Sequence, residues 1–197
     1  MVKKDTKVAV LGAGAMGCLF GGLLAEKGLD VVLIDVWKEH VDAINSKGLK
    51  MDGHGGDRFI KIKATTDPST LKPVDAIIIM CKATALEKAL NNSKNIIGKN
   101  TMLMSFQNGI GHEAIMQKIA GKDKVLGGTT TQASNILGPG HIKNHAALPS
   151  WIGEYEGGMS DRVKDIAETF TAHNLETIAA PDIKKRKWMK LFALTAI

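Results

Sequence analysis

Apolar residues in this chain come in short unbroken runs. Val8-Ala9-Val10-Leu11, Val31-Val32-Leu33-Ile34, Ala76-Ile77-Ile78-Ile79-Met80 and Met102-Leu103-Met104 are the clearest. Such runs are expected of parallel strands covered on both faces. Helical spacing fills the gaps between them. Residues 18–28 follow the first run. Val41 and Ile44 follow the second, with Gly48 as the stop. Residues 84–92 follow the third, and residues 112–119 follow the fourth. Strand and helix alternate, which predicts an α/β fold of Rossmann type with a doubly wound, mostly parallel sheet. Phe59, Ile60 and Ile62 alternate with Lys61 and Lys63, the pattern of a half-exposed edge strand.

The pattern changes after Val125. Residues 125–134 read as a strand rich in small and hydroxyl residues, and Gly138-Pro139-Gly140 reads as a turn. Ile142 and Trp151-Ile152-Gly153 predict short antiparallel strands that close that edge of the same sheet. Ser160 or Asp161 is the expected N-cap of a helix running to His173, with Val163, Ile166, Ala167 and Phe170 on one face. Residues 175–179 form a last strand or loop, and Asp182 caps a helix from Ile183. Trp188, Leu191, Phe192 and Leu194, followed by Ala196 and Ile197, make that helix apolar nearly all round. Such a helix needs partners on every side, so the expectation is either further sequence after Ile197 or burial in an oligomer.

The chemistry begins where the first strand ends. Gly12-Ala13-Gly14-Ala15-Met16-Gly17 is a G-x-G-x-x-G motif between a strand and a helix. In that context the first glycine allows the turn, the second lets backbone approach a pyrophosphate, and the third lets the helix pack close to the strand. The helix N-terminus adds bare N–H groups and a partial positive charge. Asp35 ends the second run, 18 residues after Gly17, near the spacing expected of a carboxylate that holds a ribose diol. The rival reading is a turn that only packs a helix on a sheet; the full strand–turn–helix–strand–acid context favours a dinucleotide.

Composition excludes several classes. Of 197 residues, 44% are hydrophobic and 23% charged, as in ordinary globular proteins. The net charge of +6 suits anionic small molecules. With five Phe, three Trp and one Tyr, few rings are available to stack on bases, so no nucleic-acid partner is expected. The two cysteines, Cys18 and Cys81, lack metal-type spacing and read as reduced thiols of a cytoplasmic protein. No run reaches membrane-spanning length, and no signal-peptide core precedes the first strand. His141 and His145 read as surface polar residues, so no metal site is expected.

Several motifs recur in a fixed order along the chain. They are Gly12 to Gly17; Cys81-Lys82; Gln107-Asn108-Gly109; Gly128-Thr129-Thr130-Thr131-Gln132-Ala133; Gly138-Pro139-Gly140; Ile152-Gly153-Glu154; and Trp188-Met189-Lys190-Leu191. This ordered set resembles the ketopantoate reductase (2-dehydropantoate 2-reductase) family. The resemblance implies a Rossmann domain, here residues 1–180, followed by a helical domain of which residues 181–197 hold the first helix. It implies NAD(P)H-dependent reduction of a small 2-keto acid, ketopantoate, to pantoate on the route to pantothenate and coenzyme A. A homodimer is one assembly that would cover the apolar last helix. By resemblance Lys190 stabilises and protonates the developing alkoxide. Lys82 and Asn108 contact the cofactor and place the carbonyl, which makes Asn108 both a catalytic and a cofactor-binding candidate. Residues 131–134, including Ser134, line the cofactor beside Gly12, Ala13, Gly14, Ala15, Met16, Gly17 and Asp35.

Each candidate has a plainer alternative. Lys82 could be a surface lysine, Asn108 a turn former before Gly109, and Lys190 part of a solvated basic face with Lys184, Lys185, Arg186 and Lys187. Two features depart from the family. An asparagine one helical turn after the lysine is replaced by Leu194, and the substrate-binding serine and acid of the helical domain have no counterpart in these 197 residues. These departures keep two alternatives open: a related dehydrogenase of another keto or hydroxy acid, and a dinucleotide-binding module without turnover. The family often uses NADPH, held by an arginine just after the second strand. Here Asp35-Val36-Trp37-Lys38 stands there, which favours NADH, because a carboxylate repels a 2′-phosphate and lysine lacks the planar fork of arginine.

Overall fold

The structure, a computed structural model, describes residues 6–195. Ala196, Ile197 and the side chain of Leu194 lie outside the described residues. The chain opens with β1 (Lys7–Leu11), α1 (Ala15–Glu26), β2 (Asp30–Ile34) and α2 (Lys38–Lys47). Three short strands follow, β3 (Leu49–Gly53), β4 (Arg58–Ile60) and β5 (Lys63–Thr65). Then come β6 (Val74–Ile79), α3 (Leu86–Asn92), β7 (Ile97–Ser105) and α4 (His112–Ala120). The last third holds β8 (Val125–Thr130), β9 (Ser134–Gly138), β10 (His141–Asn144), β11 (Ser150–Glu154), α5 (Asp161–Ala172), β12 (Thr177–Ala179) and α6 (Ile183–Thr195).

Eight strands form one sheet in the order β12-β11-β8-β7-β6-β1-β2-β5. Pairing is parallel except between β8 and β11. The unbroken apolar runs lie at its centre: Ile77, Ile78, Ile79, Val8, Ala9 and Val10 have no exposed surface. This is the doubly wound arrangement that the alternation of strand and helix predicts. Trp151 lies in β11, which pairs antiparallel with β8 as expected, but β11 does not close the sheet: β12 pairs parallel with it and forms the edge. Ser160 caps α5 through a 3.4 Å bond from the Val163 N–H, and Asp182 caps α6 through a 2.9 Å bond from the Lys185 N–H.

Ile142 departs from expectation. It does not join the main sheet but lies in β10 of a second, four-stranded sheet, β4-β3-β10-β9. The Phe59–Ile62 stretch splits in the same way. Phe59 and Ile60 form the edge of the small sheet, and β5 forms the edge of the large one. Residues 125–134 are not one strand: pairing in the main sheet ends at Thr130, and Ser134 opens β9 in the small sheet. His141 is not a free surface residue. Its Nε2 lies 2.6 Å from Asp52 Oδ2, across the parallel β3–β10 pair.

The small sheet packs on the outer face of α1, so that helix is buried between two sheets. An added Cβ at Gly21 would stand 2.5 Å from Leu33 of the main sheet, and one at Gly22 would stand 2.9 Å from Leu49 and Met51 of the small sheet. Glycine at these neighbouring positions lets both sheets approach one helix. Phe20, fully buried, meets Phe106 beyond β7 with ring centroids 4.9 Å apart.

A polar relay ties the layers together. The Gly140 N–H donates to His40 Nδ1 at 3.0 Å, so in the neutral imidazole Nε2 carries the proton and faces Cys18 Sγ at 3.2 Å. The Cys18 thiol donates in turn to the Ala13 carbonyl at 3.1 Å. Burial pushes the thiol pKa far up and lowers that of His40 from 6.5. The unfolded chain therefore takes up a proton near pH 6.5 that the folded chain refuses, and stability falls as the pH drops from there towards the lowered value. We expect His40→Gln to cost about 1–3 kcal/mol at pH 7.5. The gap in Tm between wild type and variant should narrow from pH 7.5 to pH 5.5. A gap that stays constant across that range would show that His40 is not held neutral.

Candidate active site at the carboxyl ends of the strands

The chain turns out of β1 at Gly12, where φ is +100° and an added Cβ would stand 2.3 Å from the Cys81 nitrogen. At Gly17 an added Cβ would meet the Gly12 carbonyl oxygen at 1.9 Å. Both glycines are therefore required by the protein's own packing. Gly14 differs: nothing lies within 4 Å of a Cβ there, and its backbone is extended. Gly14 is also the N-cap of α1. It offers no capping side chain, and the first turn has no acid to meet the helix dipole. Ala15 and Met16 make up that first turn. The loop thus presents open space and unmatched donors on one side, as a phosphate cradle requires.

Asp35 stands beside this loop, as its spacing predicts. Its carboxylate accepts the Ala13 N–H at 2.7 Å and the Trp37 N–H at 3.0 Å. It therefore fixes the glycine loop against the end of β2. Lys38 turns away to Asp42, 2.6 Å distant on its own helix.

Two cavities flank the loop and share Cys81. The smaller, about 150 Å³, lies at the end of β2 between Gly12, Asp35, Val36, Cys81 and Ala85. The larger cleft, about 720 Å³, runs past Met16, Lys82, Asn108, Gln132, Ser134 and Lys190. Lys82 is exposed on its rim. The Ser134 Oγ and Gln132 Oε1 are buried there with no hydrogen-bond partner. All the predicted site residues thus gather around one loop and two cavities at the carboxyl end of the sheet, where ligands of such folds bind.

The two predicted catalytic residues meet. Lys190 Nζ donates to Asn108 Oδ1 at 2.7 Å, across 82 residues of sequence. Burial lowers the Lys190 pKa from its ordinary 10.5, and the neighbouring Lys187 cation lowers it further. Lys187 itself departs from the solvated basic face read in the sequence. It is 5% exposed and its Nζ bonds to Glu113 Oε1 on α4. Its spacing holds the signal that was passed over: Ile183, Lys187 and Lys190 fall on one helical face. Gln107 was also missed as an organising residue. Its Nε2 donates to the Cys81 carbonyl at 2.5 Å and its Oε1 accepts the Ser105 hydroxyl at 3.0 Å, tying the ends of β6 and β7.

The sheet, the glycine loop and the placement of the cleft define a Rossmann-type fold. Residues 8–157 match the family described as ketopantoate reductase PanE/ApbA. The chain is 38% identical to the 2-dehydropantoate 2-reductase of Pyrococcus horikoshii, over 97% of this chain and 62% of that protein. Its fold is similar to that of a D-mandelate dehydrogenase solved with NADH and anilino(oxo)acetate, with TM-score 0.88, 31% identity and coverage of 94% and 60% of the two chains. It is also similar to 2-dehydropantoate 2-reductase from Geobacter metallireducens, with TM-score 0.87, 26% identity and coverage of 93% and 61%. The chain belongs to the ketopantoate reductase family. It spans about three fifths of the length of these relatives. Among the described residues no helix is long and apolar enough to cross a membrane.

Gly14 and Gly17 give contrasting predictions. Gly14→Val should fold with a Tm near wild type and, if the motif cradles a pyrophosphate, lose at least about tenfold in affinity for NAD(P)H, because the side chain fills the open space there. Gly17→Ala should lose about 2–4 kcal/mol of stability, because its Cβ overlaps the backbone. Fluorescence titration and thermal melts check both. Undiminished binding by a folded Gly14→Val would place the dinucleotide elsewhere.

Proposed function

We propose that this chain carries the cofactor site and the proton donor of an NAD(P)H-dependent 2-keto acid reductase, with 2-dehydropantoate as substrate and pantoate as product. The observation that carries the proposal is the 2.7 Å contact between Lys190 and Asn108 at the cleft beside the glycine loop. The residues present fit the cofactor: the cradle at Gly14 is open, and the α1 N-terminus has no capping side chain. When bound, reduced nicotinamide supplies the hydride. Negative charge then grows on the former carbonyl oxygen, where the Lys190 ammonium stabilises it and delivers a proton. Asn108 fixes the direction of that ammonium through Oδ1, which leaves the amide N–H2 as a donor for the substrate oxygen. The lowered Lys190 pKa brings the acid closer to neutral pH, where proton transfer is most effective. In this reading α6 begins the helical part of the site: its Trp188, Met189 and Phe192 are exposed, a surface suited to packing by a helical domain or a second subunit.

A second reading is a related dehydrogenase for another 2-keto acid. It is favoured by Leu194 in place of the family's asparagine and by likeness to the D-mandelate dehydrogenase fold. Turnover compared across 2-dehydropantoate, phenylglyoxylate and pyruvate with the full-length protein decides between them. Lys190→Ala should lower kcat by about 10²–10⁴ while the cofactor Kd stays within about twofold. In wild type the rate should fall as pH rises through the lowered Lys190 value, because the donor must be protonated. A kcat near wild type in Lys190→Ala would return this lysine to a structural role.

For the cofactor we propose NADH. The lining of the cavity at the end of β2 includes the Asp35 carboxylate but no Lys or Arg, and Lys38 is paired with Asp42. Replacing Asp35 by alanine would also free the Ala13 and Trp37 N–H groups. Asp35→Asn is the better probe, since it removes charge but keeps one acceptor. The variant should shift the NADH:NADPH affinity ratio at least about tenfold towards NADPH. A ratio equal in wild type and Asp35→Asn would remove Asp35 as the selector.

A further inference from the structure

Lys187 and Glu113 form a buried ion pair in a place where stability alone does not call for one. Their side chains are 3% and 1% exposed. Burial strips both charges of water, and a well-packed apolar pair is commonly as stable or more so. The pair joins α6 to α4. One turn further along α6, Lys190 makes the parallel contact to Asn108, four residues before α4 begins. The imidazole of His112, the first residue of α4, bonds to the Asn108 carbonyl at 2.8 Å and fixes that turn. Two lysines on one face of α6 are thus held by two residues of one short segment, Asn108 and Glu113.

We propose that the Lys187–Glu113 pair is a positioning device for Lys190: it fixes the roll of α6 on α4 so that the Lys190 ammonium reaches Asn108, and it holds the Lys187 cation, only partly offset by Glu113, one turn away. Few other charges face Lys190. Lys82 stands across the cleft, and β8 carries no titratable side chain. Glu154 of β11 is engaged by Arg162, and Arg186 lies over the Trp151 ring, 5.2 Å from its centroid. The nearby Tyr155 faces Lys184. The pair therefore sets both the direction of the ammonium and the local potential at it. This inference rests on the reading of Lys190 as proton donor only for its consequence in turnover.

The test uses the full-length protein labelled with ¹³Cε-lysine, with the Lys190 signal assigned by its loss in Lys190→Met. Lys187→Met removes a neighbouring cation and should raise the Lys190 titration midpoint. Glu113→Gln leaves that cation unbalanced and should lower it. Each shift should be about half a pH unit or more. A role confined to packing predicts no opposed shifts. Where Glu113→Gln does not fold, Lys187→Met/Glu113→Leu carries the test: it should fold, with Lys190 titrating above its wild-type midpoint and kcat reduced at least about tenfold. A double variant with wild-type midpoint and wild-type kcat would overturn the inference, as would unmoved midpoints in both single variants. The alkaline limb of kcat separates the two readings. If NMR midpoints move but the limb does not, Lys190 is positioned by the pair but is not the proton donor.

Discussion

One helix with no face for solvent organises this protein. Every residue of α1 from Gly17 to Leu24 is buried, with the main sheet on one side and the small sheet on the other. Two sheets can press on one helix only where side chains vanish, and Gly21 and Gly22 supply that on opposite sides. Gly17 does the same against the loop it follows. The N-terminus of α1 is thereby held against the strand ends, so its free N–H groups point to a fixed place. A looser helix would still bury apolar surface, but it would not aim a phosphate site.

The polar groups around that helix follow from its confinement. His40, Cys18 and the Gly140 N–H are closed off from water, and each satisfies the next. The relay ends on the Ala13 carbonyl, while the N–H of the same residue is taken by Asp35. The Ala13 peptide groups are thus gripped from both sides, and the adjoining Gly14 is left facing open space. Rigid support beneath an open cradle reduces what the site must reorder when a charged ligand arrives.

The main sheet was legible because its strands are covered on both faces. Val8-Ala9-Val10-Leu11 and Ala76-Ile77-Ile78-Ile79 cannot face water, and their spacing admits little else. The small sheet was hidden because its strands are three to five residues long and carry polar and apolar positions together, as in Leu49–Gly53 and His141–Asn144. Its one clear sequence trace was the apolar circumference of α1, which demands a second cover. The Lys190–Asn108 contact was legible only through the family resemblance. Lys187 was not, because a lysine within Lys184-Lys185-Arg186-Lys187 reads as solvated unless its acid is known. That acid, Glu113, lies 74 residues earlier.

Asp35 illustrates how structure and selectivity become coupled. A residue at the end of β2 is asked to meet two backbone N–H groups, those of Ala13 and Trp37, and a carboxylate does so with both oxygens. That task exists whether or not a ligand is bound. Under the proposed preference for NADH, repulsion of a 2′-phosphate would follow from the same group that holds the loop. To accept the phosphate, the site would have to find another acceptor for Ala13, not merely gain a cation. Lys38 is poorly placed to supply that cation while Asp42 holds it one turn along α2. A substitution at this position must therefore keep an acceptor for the Ala13 N–H, which asparagine retains and alanine does not.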